Sequence, residues 1–84
     1  MPATPARLRL YTRVDCPLCE EMLQELQALP EFRDCALELV DVDADPVART
    51  RFGHKVPVLM LDGELVCHGR LDPVEVRKAL AVHR

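Results

Sequence analysis

The chain contains no tryptophan, one tyrosine and two phenylalanines in 84 residues. A core without large aromatics must be built from aliphatic side chains, here leucine and valine above all. Nor is there an excess of positive charge: 11 Lys and Arg stand against 14 Asp and Glu, for a net charge of −3. That balance excludes the basic face on which nucleic-acid binding depends. No apolar run approaches the roughly 18 residues needed to cross a bilayer. The N-terminus lacks the long apolar segment and small-residue cleavage site of an export signal. The expectation is therefore a cytoplasmic protein with neither a membrane nor a nucleic-acid partner. Cysteine is not lacking, since there are four. In a secreted chain four cysteines allow three disulfide connectivities. With 49% hydrophobic residues and no export signal, a reducing compartment is the expectation instead. The same apolar content excludes disorder. A chain of this length holds a single domain, residues 1–84, burying roughly 60% of its unfolded surface.

What the sequence does have is punctuation by proline. Residues 1–6, with two prolines, read as a frayed lead-in. Arg7-Leu8-Arg9-Leu10-Tyr11 alternates polar and apolar, the mark of a strand. Pro17 suits the first position of a helix, where its missing N–H would be unbonded anyway, and this makes Cys16 the N-cap. Leu18, Met22, Leu26 and Leu29 recur at helical spacing until Pro30 stops the helix. A polar connection leads to Ala36-Leu37-Glu38-Leu39-Val40-Asp41-Val42, an apolar strand expected at or near the centre of the sheet. Asp45-Pro46 opens a short helix to Phe52, with Gly53 as its C-cap. Residues 56–61 form a third strand, Asp62-Gly63 a hairpin turn, and residues 64–68 the returning strand. Asp72-Pro73 opens the last helix, with Glu75 placed for a capping box and Leu71 and Val76 for a hydrophobic staple. The order β-α-β-α-β-β-α makes the first two strands parallel through a right-handed crossover and the last two an antiparallel hairpin. A mixed four-stranded α/β sheet with helices on both faces satisfies both.

The stretch with chemistry is Cys16-Pro17-Leu18-Cys19. Residues three apart on a helix lie on one side, so the two thiols can close a small disulfide. At the N-cap, Cys16 faces the unpaired N–H groups of Leu18 and Cys19, which with the helix dipole favour a nucleophilic thiolate. Cys19, one turn in, suits a resolving thiol. Two other readings stay open. The pair can be half of a zinc site completed from Cys35, Cys67 and His68, or two incidental helix cysteines. Asp15, Glu20 and Glu21 oppose a thiolate by like-charge repulsion, and Arg13 and Lys55 offset them. Asp41, Asp43 and Asp45 alternate as in a calcium loop, but Pro46 replaces the glycine and Phe52 the closing glutamate, which excludes calcium. Cys35 and Cys67 read as semi-buried small hydrophobes, and His54 and His83 as surface residues.

Three motifs together resemble the thioredoxin superfamily, and most of all the glutaredoxins, over roughly residues 8–80. They are Cys16-Pro17-Leu18-Cys19 after the first strand, Lys55-Val56-Pro57, which is similar to the family's Thr-Val-Pro, and Gly69-Arg70-Leu71-Asp72, which resembles the end of its glutathione-binding Gly-Gly-x-x-Asp. Leu18 stands where glutaredoxins usually carry an aromatic, and His68 where the first glycine of the third motif would be. Among members, the chain looks like the small bacterial glutaredoxin-like proteins. The resemblance implies a thioredoxin-like fold of glutaredoxin type and a dithiol–disulfide oxidoreductase. Cys16 would be the nucleophile and Cys19 the resolving thiol, forming the redox-active disulfide. A cis Val56–Pro57 peptide would face them, with Arg13, Lys55, Val56, Pro57, Gly69 and Asp72 contacting substrate. It further implies glutathione as co-substrate, protein or glutathione mixed disulfides as partners, no bound cofactor or metal, and action as a monomer. The alternative is a non-enzymatic module of the same fold whose cysteines bind a metal or an iron–sulfur cluster.

Overall fold

The computed structural model describes residues 5–83. All three helices begin with the same two-residue device. Cys16-Pro17 opens α1 (Pro17–Ala28), Asp45-Pro46 opens α2 (Pro46–Phe52) and Asp72-Pro73 opens α3 (Pro73–Val82). Each cap residue is extended, and its side chain accepts backbone N–H groups of the first turn, which have no partner within the helix. Asp45 accepts from Val47 at 3.0 Å and Ala48 at 3.4 Å, and Asp72 from Val74 at 3.1 Å and Glu75 at 3.3 Å. The sulfur of Cys16 does the same for Cys19, at 3.2 Å. The return half of the capping box in α3 is replaced by another contact, because the Glu75 carboxylate lies 3.5 Å from Lys78 Nζ.

The strands β1 (Ala6–Thr12), β2 (Cys35–Asp41), β3 (Val58–Leu61) and β4 (Glu64–His68) form one mixed sheet in the order β2-β1-β3-β4. β1 runs parallel to β2 and antiparallel to β3, and β3 and β4 are an antiparallel hairpin. Its turn has positive φ at both Asp62 and Gly63, 51° and 83°, as a two-residue hairpin loop of this hand requires. Alternation along the strands divides the core in two. Leu8, Leu10, Leu59 and Leu61 pack with Met22 and Leu26 of α1 and Val76 of α3. Val58 and Met60 pack on the other face with Ala48 and Phe52 of α2, beside Tyr11, whose ring centroid is 4.5 Å from that of Phe52. The sheet therefore carries two helices on one face and a short one on the other.

Several expectations need correction. Ala6 is a buried strand residue and not lead-in, while residues 1–4 of that expected lead-in lie outside the described residues. β2 is an edge strand, not a central one: β1 flanks it on one side only. Leu37 is half-buried against the core, but Leu39 is 54% exposed, so an apolar composition did not mean burial on both sides. The connection after α1 is a 3₁₀ turn, Pro30–Asp34, and Val42 leaves β2 to enter a second one, Val42–Ala44. Residues 56 and 57 precede β3 rather than belonging to it. Gly53 caps α2 in the right-handed region (φ −56°), not the left-handed one. A glycine fits there because an added Cβ would sit 2.5 Å from the Arg49 carbonyl oxygen. His83 is half-buried rather than a free surface residue, with Nδ1 2.6 Å from Asp62 Oδ2, which ties the end of α3 to the hairpin turn.

Candidate active site

β1 ends at Thr12, and a turn through Val14 and Asp15 delivers the chain to Cys16. Asp15 is in the left-handed region, φ 58°, a conformation that aspartate tolerates better than most residues. The turn places Cys16 half-buried at the mouth of α1 and Cys19 fully buried one turn in, at 3% exposure. Their Cα atoms are 5.2 Å apart and their sulfurs are joined as a disulfide. The Cys16 sulfur accepts one first-turn N–H, that of Cys19; the second expected donor, Leu18 N–H, does not bond to it. Val14, 71% exposed, and Leu18, 46% exposed, give the mouth an apolar rim.

The other motifs lie close by. Gly69, Arg70 and Leu71 join Leu18, Glu21, Met22 and Glu25 in lining a depression of about 100 Å³, which brings the first and third motifs together. Gly69, at φ 77°, donates its N–H to the carbonyl of Pro57 at 2.8 Å, so the third motif is bonded to the second. The Val56–Pro57 peptide is cis and Pro57 is buried. Val56 takes part in no strand pairing among the described residues. Lys55 is exposed, and its N–H closes the preceding turn on the Phe52 carbonyl at 2.8 Å. Asp72 stands at the head of α3 with one carboxylate oxygen already accepting two N–H groups.

Arg13 is half-buried, and the fold holds its guanidinium at three points. Its Nε and Nη2 form a fork on the Asp43 carboxylate at 2.8 and 3.1 Å, and its Nη1 donates to the Gly53 carbonyl at 3.0 Å. The hydrogen bond from Arg13 holds the Asp43 carboxyl below its ordinary range, and the same bond raises the Arg13 guanidinium. The two remaining cysteines stand apart from the pair. Burial, followed by the charges of Asp34 and Glu31, pushes the Cys35 thiol up. Burial also pushes the Cys67 thiol up, against a partial offset from the Asp72 backbone N–H. Among the described residues, no three His, Cys, Asp or Glu side chains converge as metal ligands would.

Residues 7–81 match the family model of the Glutaredoxin-like domain (DUF836). The chain belongs to this family. Protein Ne2328 from Nitrosomonas europaea, solved by solution NMR, is 28% identical, with 94% of this chain and 95% of that one covered and a TM-score of 0.82. Protein XcR50 from X. campestris, an X-ray structure, is 30% identical over 89% of this chain and 96% of its own, with a TM-score of 0.64. Oxidised mitochondrial thioredoxin 3 from Saccharomyces cerevisiae, 19% identical, covers 94% of this chain and 79% of its own with the same TM-score of 0.64, a likeness of fold. The glutaredoxin-like domain thus has the thioredoxin fold, with a close cysteine pair where a strand meets a helix.

The bonds of Arg13 to Asp43 and Gly53 are not among the sequence expectations. A signal for Asp43 existed. Parallel pairing of Thr12 with Asp41 sets the residues just after β1 beside those just after β2. Gly53 had none, because its role depends on a backbone carbonyl.

Proposed function

We propose that this glutaredoxin-like domain is a dithiol–disulfide oxidoreductase of the reducing cytoplasm, acting as a monomer on protein or glutathione mixed disulfides. The observation that carries the reading is the sulfur of Cys16 at a helix N-cap. It accepts the Cys19 N–H at 3.2 Å, within bonding reach of the buried Cys19 sulfur. A hydrogen bond to the charged form and the positive end of the helix both favour the thiolate.

The reduced pair works in two displacements. The Cys16 thiolate attacks one sulfur of the substrate disulfide and expels the other as a thiolate, which takes up a proton. Cys19 loses its proton to solvent and attacks the Cys16 sulfur, releasing the second substrate thiol. Two electrons have passed to substrate and the protein holds the Cys16–Cys19 disulfide. Two thiols, glutathione being the expected co-substrate, restore the dithiol and leave as a disulfide. The burial of Cys19 supports this order, because only Cys16 has an exposed approach. Val56, with backbone groups outside the sheet pairing, and cis Pro57 supply the docking edge, and Lys55, Gly69 and Asp72 flank it.

Glutathione-coupled reduction of a mixed disulfide tests this with wild type, Cys16→Ser and Cys19→Ser. Activity should fall to background in Cys16→Ser and survive in part in Cys19→Ser, where an external thiol can resolve the intermediate. If all three are inactive and the purified wild type carries stoichiometric metal, the oxidoreductase reading fails and the metal-binding module takes its place.

A further inference from the structure

Arg13 stands where two loops meet, and we infer that it is a positioning residue. It pins the turn that presents Cys16 against the turn that leads to Val56–Pro57, and so sets where the Cys16 sulfur sits over the first turn of α1. This rests on the redox reading of Cys16.

The turn has little else to hold it. Val14 is 71% exposed, and Asp15 is in the left-handed region. Among the described residues, Arg13 is the one side chain between Thr12 and Cys16 with hydrogen bonds to another part of the fold. Both of its anchors sit in hydrogen-bonded turns. Asp43 lies in the 3₁₀ turn Val42–Ala44, donates its N–H to the Asp41 carboxylate at 2.9 Å, and follows Val42, which is 0% exposed. Gly53 caps α2, where its N–H meets the Arg49 carbonyl at 2.9 Å and a larger residue would collide. Two residues on, Lys55 N–H closes the turn onto Phe52, and Val56–Pro57 follows. A planar guanidinium can hold a carboxylate with two parallel bonds and still donate a third, which a lysine ammonium cannot do in that geometry. Charge alone is a poor account of Arg13, because the carboxylate on its fork neutralises it. The other charged residues of these elements are Asp15 in the Cys16 turn, Glu20 in the first turn of α1, Glu21 just beyond it, Lys55 before Val56–Pro57, and Arg70, which lines the depression beside Leu18.

The test exploits a difference in sign. Fully reduced wild type, Arg13→Lys and Asp43→Asn are compared by the pH dependence of Cys16 alkylation, resolved by peptide mass spectrometry. Thermal melts check that each is folded. If Arg13 acted through its field, Asp43→Asn would remove a negative charge and lower the Cys16 pKa, and Arg13→Lys would leave it unchanged. If Arg13 positions, both variants loosen the turn and raise the pKa. The expected rise is about half a unit, a roughly threefold smaller thiolate fraction at neutral pH. A lowered or unchanged value in Asp43→Asn, or a wild-type value in Arg13→Lys, overturns the inference. A wild type whose Cys16–Cys19 pair does not exchange with a dithiol buffer removes the redox reading itself. A wild type that exchanges while both variants match it removes only the positioning role.

Discussion

One sulfur is set apart from three others by its surroundings. Cys16 accepts a backbone N–H at a helix start, Cys19 is enclosed beneath it, and Cys35 and Cys67 are half-buried with thiols pushed up mainly by burial. Cys35 also donates to the Glu31 carbonyl at 3.5 Å, a contact that favours its protonated form. Reactivity toward an alkylating agent follows the thiolate fraction. In fully reduced protein at neutral pH, Cys16 should be modified about tenfold faster than Cys35 or Cys67. Timed labelling with mass spectrometry measures this, and equal rates at the three would remove the claim that the cap activates Cys16.

At the scale of elements, capping governs the helices. Replacing Asp45 or Asp72 by Ala leaves first-turn N–H groups without their acceptor and should destabilise the fold by about 1 kcal/mol each. Urea unfolding should show this as a lower midpoint with an unchanged slope, and an unmoved midpoint would mean that water replaces the cap without cost. The same caps made the helices legible. A cap residue followed directly by proline marks a helix start within the sequence itself, and α1, α2 and α3 each begin at such a pair. Strand placement was less accessible. Leu37 and Leu39 share one face of the edge strand β2, yet Leu37 packs against the core and Leu39 is exposed, a difference that composition and alternation do not carry. The cysteine pair and the three motifs could be read locally. The fork from Arg13 to Asp43 spans 30 residues and exists only through the parallel register of β1 and β2.

Across the whole molecule, a few ion pairs join elements distant in sequence. Arg13–Asp43 joins the Cys16 turn to the 3₁₀ turn after β2, and Arg77–Glu31, at 3.0 Å, joins α3 to the 3₁₀ turn after α1. Both carboxyls are held below their ordinary range. Asp43 is lowered first by the hydrogen bond from Arg13, and Glu31 first by a backbone hydrogen bond within its own residue and then by Arg77. A carboxyl with a depressed folded pKa contributes stability that is present above its unfolded value and lost as pH falls through the folded one. The melting temperature should therefore hold from pH 7 to about 5 and decline below about 4. The decline should be shallower in Glu31→Gln. Calorimetry across that range measures it, and a rise on acidification would contradict the assignment.

The three helix starts share a backbone and differ in the acceptor at the cap. Two use a carboxylate and one a sulfur, on the same backbone and before the same proline. The architecture at α1 asks only for an acceptor, and aspartate would serve it at least as well as cysteine. The thiol at residue 16 is then replaceable without disturbing the frame that carries it. One substitution there removes the sulfur and keeps the shape, which makes the fold by itself a poor witness to chemistry and the identity of residue 16 a decisive one.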